Sequence, residues 1–323
     1  MPCTQIGYKS RVSEDTPDPA HTSFAVERGT GSTALSRQNR PPKLPRDQLR
    51  GLERVSIPLV DFISSIGWVK RVIQVYGRYI STAWITFVTR NLLEQHDLEP
   101  LMTLQPPRGV LLVANHRTFW DMFVASAVLY RHVPWMKRIV FPVRADFFYT
   151  NPLGVLLNAS IASFSMWPPV FRDDRKPLLN PTTVQQMSWI LARKGTVLGM
   201  HPEGTRNKGD DPYTFLSARP GVGYLIKDAH PDTMIVPYFL NGMSNDIGGE
   251  IRRNFRRVGE RGENFRFWWG SPIRVGDLDR SKPARELAVD ILEIISELGE
   301  RDRAEQIATG ALPVRPVGAA SAG

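Results

Sequence analysis

The sequence predicts an α/β fold, a mixed sheet flanked by helices and preceded by an amphipathic N-terminal helix pair. Three observations carry this expectation. Short apolar runs bounded by Pro and Gly alternate with longer segments of helical periodicity, two of those runs empty directly into polar loops, and an amphipathic stretch from Leu52 to Leu93 precedes them all. In a fold of this kind ligands gather at the carboxyl ends of the strands, so the loops leaving them are where function is sought.

Composition sets the outer bounds. The 323 residues are 42% hydrophobic and 23% charged, enough for one large domain or two small ones with a sizeable core. Lys and Arg number 41 against 32 Asp and Glu, a net charge of +9 that suits an anionic partner. A membrane surface, a nucleic acid and a phosphorylated small molecule all satisfy that charge. No nucleic-acid motif accompanies it, and no nucleic acid is expected as a partner. The single cysteine, Cys3, permits a reducing compartment. Residues 1–46, rich in Ser, Thr, Pro and Arg and without an apolar signal region, read as a disordered tail.

Residues 47–95 read as amphipathic membrane-interfacial helices. Leu59, Phe62, Ile63 and Ile66 share one face, and so do Val72, Tyr76, Tyr79, Ile80 and Ala83. Pro58 suits an early position of the first helix, and Gly67 or Gly77 marks a break. The same stripe also serves a helix pair packed on a core; Trp68, Trp84 and the basic residues tilt the reading toward an anionic membrane surface. Residues 96–302 form the α/β domain, and 303–323 a second disordered tail.

Within that domain Val110–Ala114 is a buried strand, too short and too tightly bounded by Pro106, Pro107 and Gly109 for a helix. It runs into Asn115-His116-Arg117-Thr118-Phe119-Trp120-Asp121, after which a helix is expected from Met122 onward. His116 and Asp121 are five apart, roughly 140° around an unbroken helix. A turn between them lets the carboxylate meet one imidazole nitrogen, leaving the other to take a proton from a hydroxyl. A surface histidine near a helix N-cap is the plain alternative.

Ile139–Val143 reads as a further strand. The uncharged stretch Phe147–Phe171 is long enough to cross a bilayer, but its Asn, Ser and Pro residues make it a poor spanning helix; core, acyl-chain path and bilayer interface are its three readings. A helix over 181–194 is expected, capped by Asn180 and opened by Pro181. The strand Thr196–Met200 then enters His201-Pro202-Glu203-Gly204-Thr205-Arg206, where Gly204 permits a tight turn and Arg206 offers a planar fork of donors for phosphate. Met234–Leu240 is a strand whose Pro237 points to an edge or a bulge. Phe265–Val275 is the last strand, with a turn at Gly270-Ser271-Pro272, and a helix capped by Ser281 closes the domain at Leu298. Six arginines between Arg252 and Arg266 are either a solvated face or a site of attraction for anionic headgroups.

With both polar loops in view, the chain resembles the glycerolipid acyltransferases, the family that includes PlsC-type 1-acylglycerol-3-phosphate acyltransferases. Asn115, His116 and Asp121 match its Asn-His-x4-Asp block; Pro202, Glu203, Gly204, Thr205 and Arg206 match its Pro-Glu-Gly-Thr-Arg block. Val170-Phe171-Arg172 corresponds to the end of a weaker block and Ile235-Val236-Pro237 to another, while His201 stands where an aromatic residue is usual. Its imidazole either fills that space or adds a polar contact.

The resemblance implies acyl transfer from acyl-CoA or acyl-carrier protein to the hydroxyl of a lysophospholipid, with 1-acyl-sn-glycerol-3-phosphate the default acceptor and phosphatidic acid the product. His116 would be the base and Asp121 its orienting carboxylate. Arg206 with Arg172, and the loop residues Glu203, Gly204 and Thr205, would bind the acceptor phosphate, Glu203 either directly or as a buried partner of Arg206. Backbone amides at the following helix start would steady the oxyanion. No tightly bound cofactor and no metal are implied, and the place of action is the cytoplasmic face of a membrane, peripheral or monotopic. A catalytically inactive membrane-associated relative is the alternative. No Gly-x-Ser-x-Gly elbow supports a serine hydrolase, and no His-x-x-x-His pair or cysteine set supports a metal site built from His116, Asp121, His201 and Glu203.

Overall fold

The structure, a computed structural model, describes residues 41–171, 176 and 178–312. Arg172 and most of both expected tails therefore lie outside the described residues. Among the described residues, seven strands form one mixed sheet in the order β1-β8-β7-β2-β6-β3, with β9 also on β7. The strands are β1 (Leu93–His96), β2 (Val110–Ala114), β3 (Arg138–Val140), β6 (Thr196–Met200), β7 (Met234–Asn241), β8 (Phe265–Trp269) and β9 (Ile273–Arg274). A separate parallel pair joins β4 (Val143–Arg144) to β5 (Pro169–Val170).

The expected α/β fold is the observed one. β2 is parallel to both β6 and β7, and all five of its residues are buried, which explains an apolar run without alternation. β8 and β9 run antiparallel to β7, and β1 parallel to β8, so the sheet is mixed only on one side of its centre. The carboxyl ends of β2, β6 and β7 consequently open onto one edge. That is where the His116 loop, the His201 loop and the segment after Asn241 come together.

Several boundaries differ from expectation. Residues 93–96 belong to the sheet rather than to the preceding helices: β1 pairs Leu93 with Phe265 and His96 with Trp268. Pro237 lies in the second most central strand, not at an edge. It is tolerated because β8 and β9 leave a gap in β7's antiparallel ladder there, the turn expected at Gly270, and only Gly270 N reaches the Pro237 carbonyl, at 2.8 Å.

Asn180 does not cap its helix. α8 (Leu179–Leu191) begins earlier, and the Asn180 amide instead bonds Phe171 N and Phe171 O. The last helix, α11, runs Ala284–Ala308, past the expected tail boundary and without a cap from Ser281, because Asp302 near its end is held in the core.

The N-terminal region is three helices, α1 (Glu53–Ser65), α2 (Gly67–Tyr76) and α3 (Thr82–Thr89), with a π-helical segment over Gly77–Ser81. Pro58 lies inside α1. The break falls at Ile66, whose ψ of 119° is extended, and Gly77 has its own reason: a Cβ there would meet Ser163 Oγ at 3.2 Å. α1 is tied to the body by the buried pair Lys176 Nζ–Glu53, 2.7 Å, and by Ser56 Oγ on the Tyr149 carbonyl, 2.8 Å.

Ile57, Val60 and Ile85 face the core, whereas Leu59, Phe62, Val72, Tyr79 and Ile80 are exposed, with Tyr79 at 64%, and Trp68 is exposed at 72%. Most of the apolar stripe thus faces away from the core. Among the described residues no helix is long and apolar enough to cross a membrane. The uncharged stretch folds as α6 (Ala145–Phe148), α7 (Pro152–Ser160, capped by Asn151) and β5.

Candidate active site

Asp121 opens α5 (Asp121–His132) and is fully buried, yet it is not an ordinary N-terminal charge. Its Oδ2 accepts hydrogen bonds from Arg117 N at 2.8 Å and Thr118 N at 2.9 Å and lies 3.2 Å from His116 Nδ1; Oδ1 accepts from Thr118 Oγ1. The loop 115–120 is folded back around this carboxylate, and that turn brings His116 and Asp121 face to face where a continuous helix would part them. Burial pushes the Asp121 carboxyl up, but the bond and charge of His116 and the bonds from Thr118 outweigh it, so it stays below its usual value and ionised. A carboxylate here makes Nδ1 the hydrogen-bearing nitrogen of His116 and leaves Nε2 basic, on a side chain 16% exposed.

The amides of the loop that leads into α5 are already engaged. Arg117 N and Thr118 N serve Asp121, Phe119 N donates to Asn245 Oδ1 at 3.1 Å, and Trp120 N donates to Thr118 Oγ1 at 3.2 Å. These four build the loop, which leaves the first amides of α5 itself for an oxyanion.

Glu203 corrects both earlier readings. It is 1% exposed; its Oε2 accepts from His116 N and its Oε1 from Leu216 N, each at 2.8 Å, and no bond joins it to Arg206. A buried carboxylate already holding two amides is a strut between the two loops, and its charge would repel a phosphate. Burial raises its pKa, against the pull of those two amides. Replacing it with Gln, which offers one acceptor where two amides converge, is expected to cost about 1–3 kcal/mol, read as a lower denaturant midpoint at unchanged m-value.

Gly204 takes φ +66°, the left-handed turn its residue type allows, and leaves Thr205 and Arg206 exposed at the loop's outer edge. Arg206 Nη1 donates to Asn245 Oδ1 at 3.2 Å. Asn245 is a site residue that the sequence did not disclose. Its single oxygen joins Phe119 N, in the loop before α5, to Arg206, and no motif spacing announces it, because the segment after β7 arrives only through the sheet order. Asn115, by contrast, pairs through its side chain with Leu240 N and Leu240 O, 2.9 and 2.8 Å, holding the end of β2 to β7. Asn245→Ala is expected to raise the acceptor KM about threefold to tenfold with a smaller change in kcat, since it frees Arg206 without touching the His116–Asp121 pair.

His201 lies flat against His116, ring centroids 4.0 Å apart and planes within 9°. Its Nδ1 is 3.1 Å from Ala114 O and 2.9 Å from Asn115 O, so that nitrogen carries the hydrogen. Its Nε2 is enclosed with no hydrogen-bond partner among the described residues. Burial, and next the neighbouring His116, push the His201 imidazole down to about 3. A base whose folded pKa lies below its unfolded value near 6.5 stabilises the fold fully above that value and progressively less as pH falls toward 3. His201→Phe is therefore expected to flatten the acid limb of stability against pH between about 6.5 and 3, measured by urea titrations at stepped pH.

The donor set of these loops does not fit a metal, because Asp121 and Glu203 spend their oxygens on amides and hydroxyls. Elsewhere Glu94, His96 and Glu305 bring ligand atoms within 4.8 Å of one another, but Arg266 pairs with both glutamates and supplies the cation there.

The residue pattern now has a geometry, and a family comparison agrees with it: a model described as Acyltransferase matches residues 94–241. Over these residues the chain is similar to the Acyltransferase family. The matched segment begins inside β1 and ends with β7, so it contains both polar loops, the two strands that deliver them and β7, while Asn245 lies just beyond it. Among solved structures, the chain is similar to the 1-acyl-sn-glycerophosphate (LPA) acyltransferase PlsC from Thermotoga maritima, at 14% identity and TM-score 0.47 over 76% of this chain and 88% of that one.

Proposed function

We propose that this acyltransferase moves a fatty acyl chain from acyl-CoA or acyl-carrier protein to the hydroxyl of a lysophospholipid, with 1-acyl-sn-glycerol-3-phosphate the first acceptor to test. The observation that carries the reading is the His116–Asp121 pair on a fully buried, internally bonded carboxylate. His116 Nε2 takes the acceptor's hydroxyl proton as its oxygen attacks the thioester carbonyl; the new C–O bond forms, the C–S bond breaks, and the imidazolium returns the proton to the departing thiolate. No acyl-enzyme is required. Arg206, exposed beside Asn245, is the cation for the acceptor's phosphate; Arg172 lies outside the described residues and remains a second proposed cation.

Acceptor and donor are settled by mass spectrometry of products from a panel of lysolipids offered with acyl-CoA or acyl-carrier protein. Release of thiol matched by acylated lysolipid, abolished in His116→Ala with the fold intact, is the expected result; equal turnover by that variant overturns the assignment.

A membrane surface is the proposed place of work. Trp68, Val72, Tyr79 and Ile80 are exposed on α2 and the π-helical segment, Arg71 is exposed among them, and a lipid surface is the medium in which such a face loses no free energy by exposure. Only part of the arginine run between 252 and 266 is free to add attraction: Arg253 pairs with Glu250 and Arg266 is buried among acids, while Arg252, Arg256 and Arg257 are exposed. Trp68→Ser with Tyr79→Ser is expected to weaken co-sedimentation with vesicles containing anionic lipid by tenfold or more. Unchanged partition would place the face against something else.

A further inference from the structure

Among the described residues the His116 ring has one hydrogen bond, to Asp121, and at 3.2 Å it is a long one. A single bond at one atom leaves a ring able to pivot about that atom, and general-base catalysis requires Nε2 to be aimed. The second restraint on the ring is its face-to-face contact with His201. That contact restrains only because His201 is itself fixed. Its Nδ1–H is shared between the carbonyl oxygens of Ala114 and Asn115, the two residues that directly precede His116. The parallel ladder between β2 and β6 ends at Val113 and Met200, so the imidazole continues the stitching by one more step, exactly where the backbone stops doing it.

We propose that His201 is a positioning residue for His116: anchored by Nδ1 to the backbone that carries the base, its uncharged ring lies against the His116 imidazole and holds it in the pose that meets Asp121. The remaining nitrogen explains why the ring stays uncharged. Nε2 is enclosed with no partner among the described residues, so a proton placed there would have no acceptor among them and would set a second positive charge on a ring whose centroid is 4.0 Å from that of an imidazole that must itself become charged in the reaction. A neutral ring against the imidazolium is instead attractive, as for any cation over an aromatic face. A phenyl ring reproduces the face but not the anchor, and a methyl group reproduces neither.

This inference rests on the reading of His116 as the base, and its test separates the two. Full-length protein with isotope-labelled histidine is compared by NMR with His201→Phe and His201→Ala, alongside kcat and KM for a lysophospholipid acceptor. In the wild type, His201 is expected to be the Nδ1–H tautomer and not to titrate between about pH 5 and 8. In His201→Ala the His116 ring signals broaden or average between tautomers, and kcat per folded molecule falls about tenfold or more with acceptor KM within about twofold. His201→Phe lies between the two. Should the alanine variant not fold, the phenylalanine variant decides, with an expected kcat loss of about threefold at unchanged KM. His116 signals and kcat that match the wild type in the variants overturn the proposal. If the wild-type protein acylates no acceptor, the proposed function fails, while the His116 ring signals still decide whether His201 positions that ring.

Discussion

Asp121→Asn is expected to lower kcat on the order of 10³-fold to 10⁴-fold, the scale associated with converting the carboxylate behind a catalytic imidazole into an amide. The geometry at Asp121 makes the substitution worse than a change of charge. Oδ2 receives Arg117 N, Thr118 N and His116 Nδ1, and Oδ1 receives Thr118 Oγ1, so every approach to the carboxylate is made by a donor. An Asn side chain must turn an NH2 group toward one set of them. If the NH2 group faces His116, Nδ1 has to become the acceptor and Nε2 carries the hydrogen, which removes the base. If it faces Thr118, only that hydroxyl can re-orient, and the tautomer is kept at reduced strength.

Stability is also expected to fall, by about 1–3 kcal/mol for the buried donors left unpaired. Because the Asp121 pKa is lowered in the fold, its contribution is fully present above the unfolded-state value near 4 and is lost as pH falls through the depressed folded value. Asn and wild-type proteins should therefore converge in stability at strongly acid pH. A kcat within tenfold of wild type, measured on protein shown to be folded by circular dichroism, would remove Asp121 from the mechanism.

The second large effect lies far from this chemistry. Asp302→Ala is expected to destabilise the protein by about 3–5 kcal/mol, the range for breaking a buried ion pair by deleting one partner. Asp302 is fully buried near the end of α11 and gathers Arg266 Nε at 2.5 Å, Trp268 Nε1 at 2.8 Å, Tyr213 OH at 2.8 Å and Asn241 Nδ2 at 3.3 Å. Deleting the carboxylate leaves a buried guanidinium with only the half-exposed Glu94 and Glu305, and strands the Trp268 and Tyr213 donors, Asn241 Nδ2 keeping Tyr213 OH at 3.3 Å. Thermal or urea unfolding measures the loss. A change below about 1 kcal/mol would mean that water enters and replaces the carboxylate.

These two aspartates mark what a sequence discloses and what it withholds. Asp121 was legible because its partner is five residues away and the intervening strand, loop and helix are local: an apolar run bounded by Pro and Gly can only be short and buried, and a turn after it can only bring near neighbours together. Asp302 was not. It lies four residues past the expected helix end at Leu298, at the last position of the expected domain, and Arg266 closes a basic run, because nothing local tells a solvated arginine from one buried against an acid 36 residues on.

The same division runs through the site. By itself the sequence determined the α/β class, the two polar loops, His116 with Asp121, and the left-handed turn at Gly204, all features set by spacing and backbone stereochemistry within a few residues. Glu203 as a strut under His116, Asn245 as the bridge to Arg206, and the outward turn of the N-terminal stripe were decided by tertiary structure. So was the choice His201 makes between filling space and bonding, which it resolves by doing both. The physical reason is the sheet order: β6, β2 and β7 lie side by side although the chain visits them far apart, and only that adjacency sets which polar atoms meet at their ends.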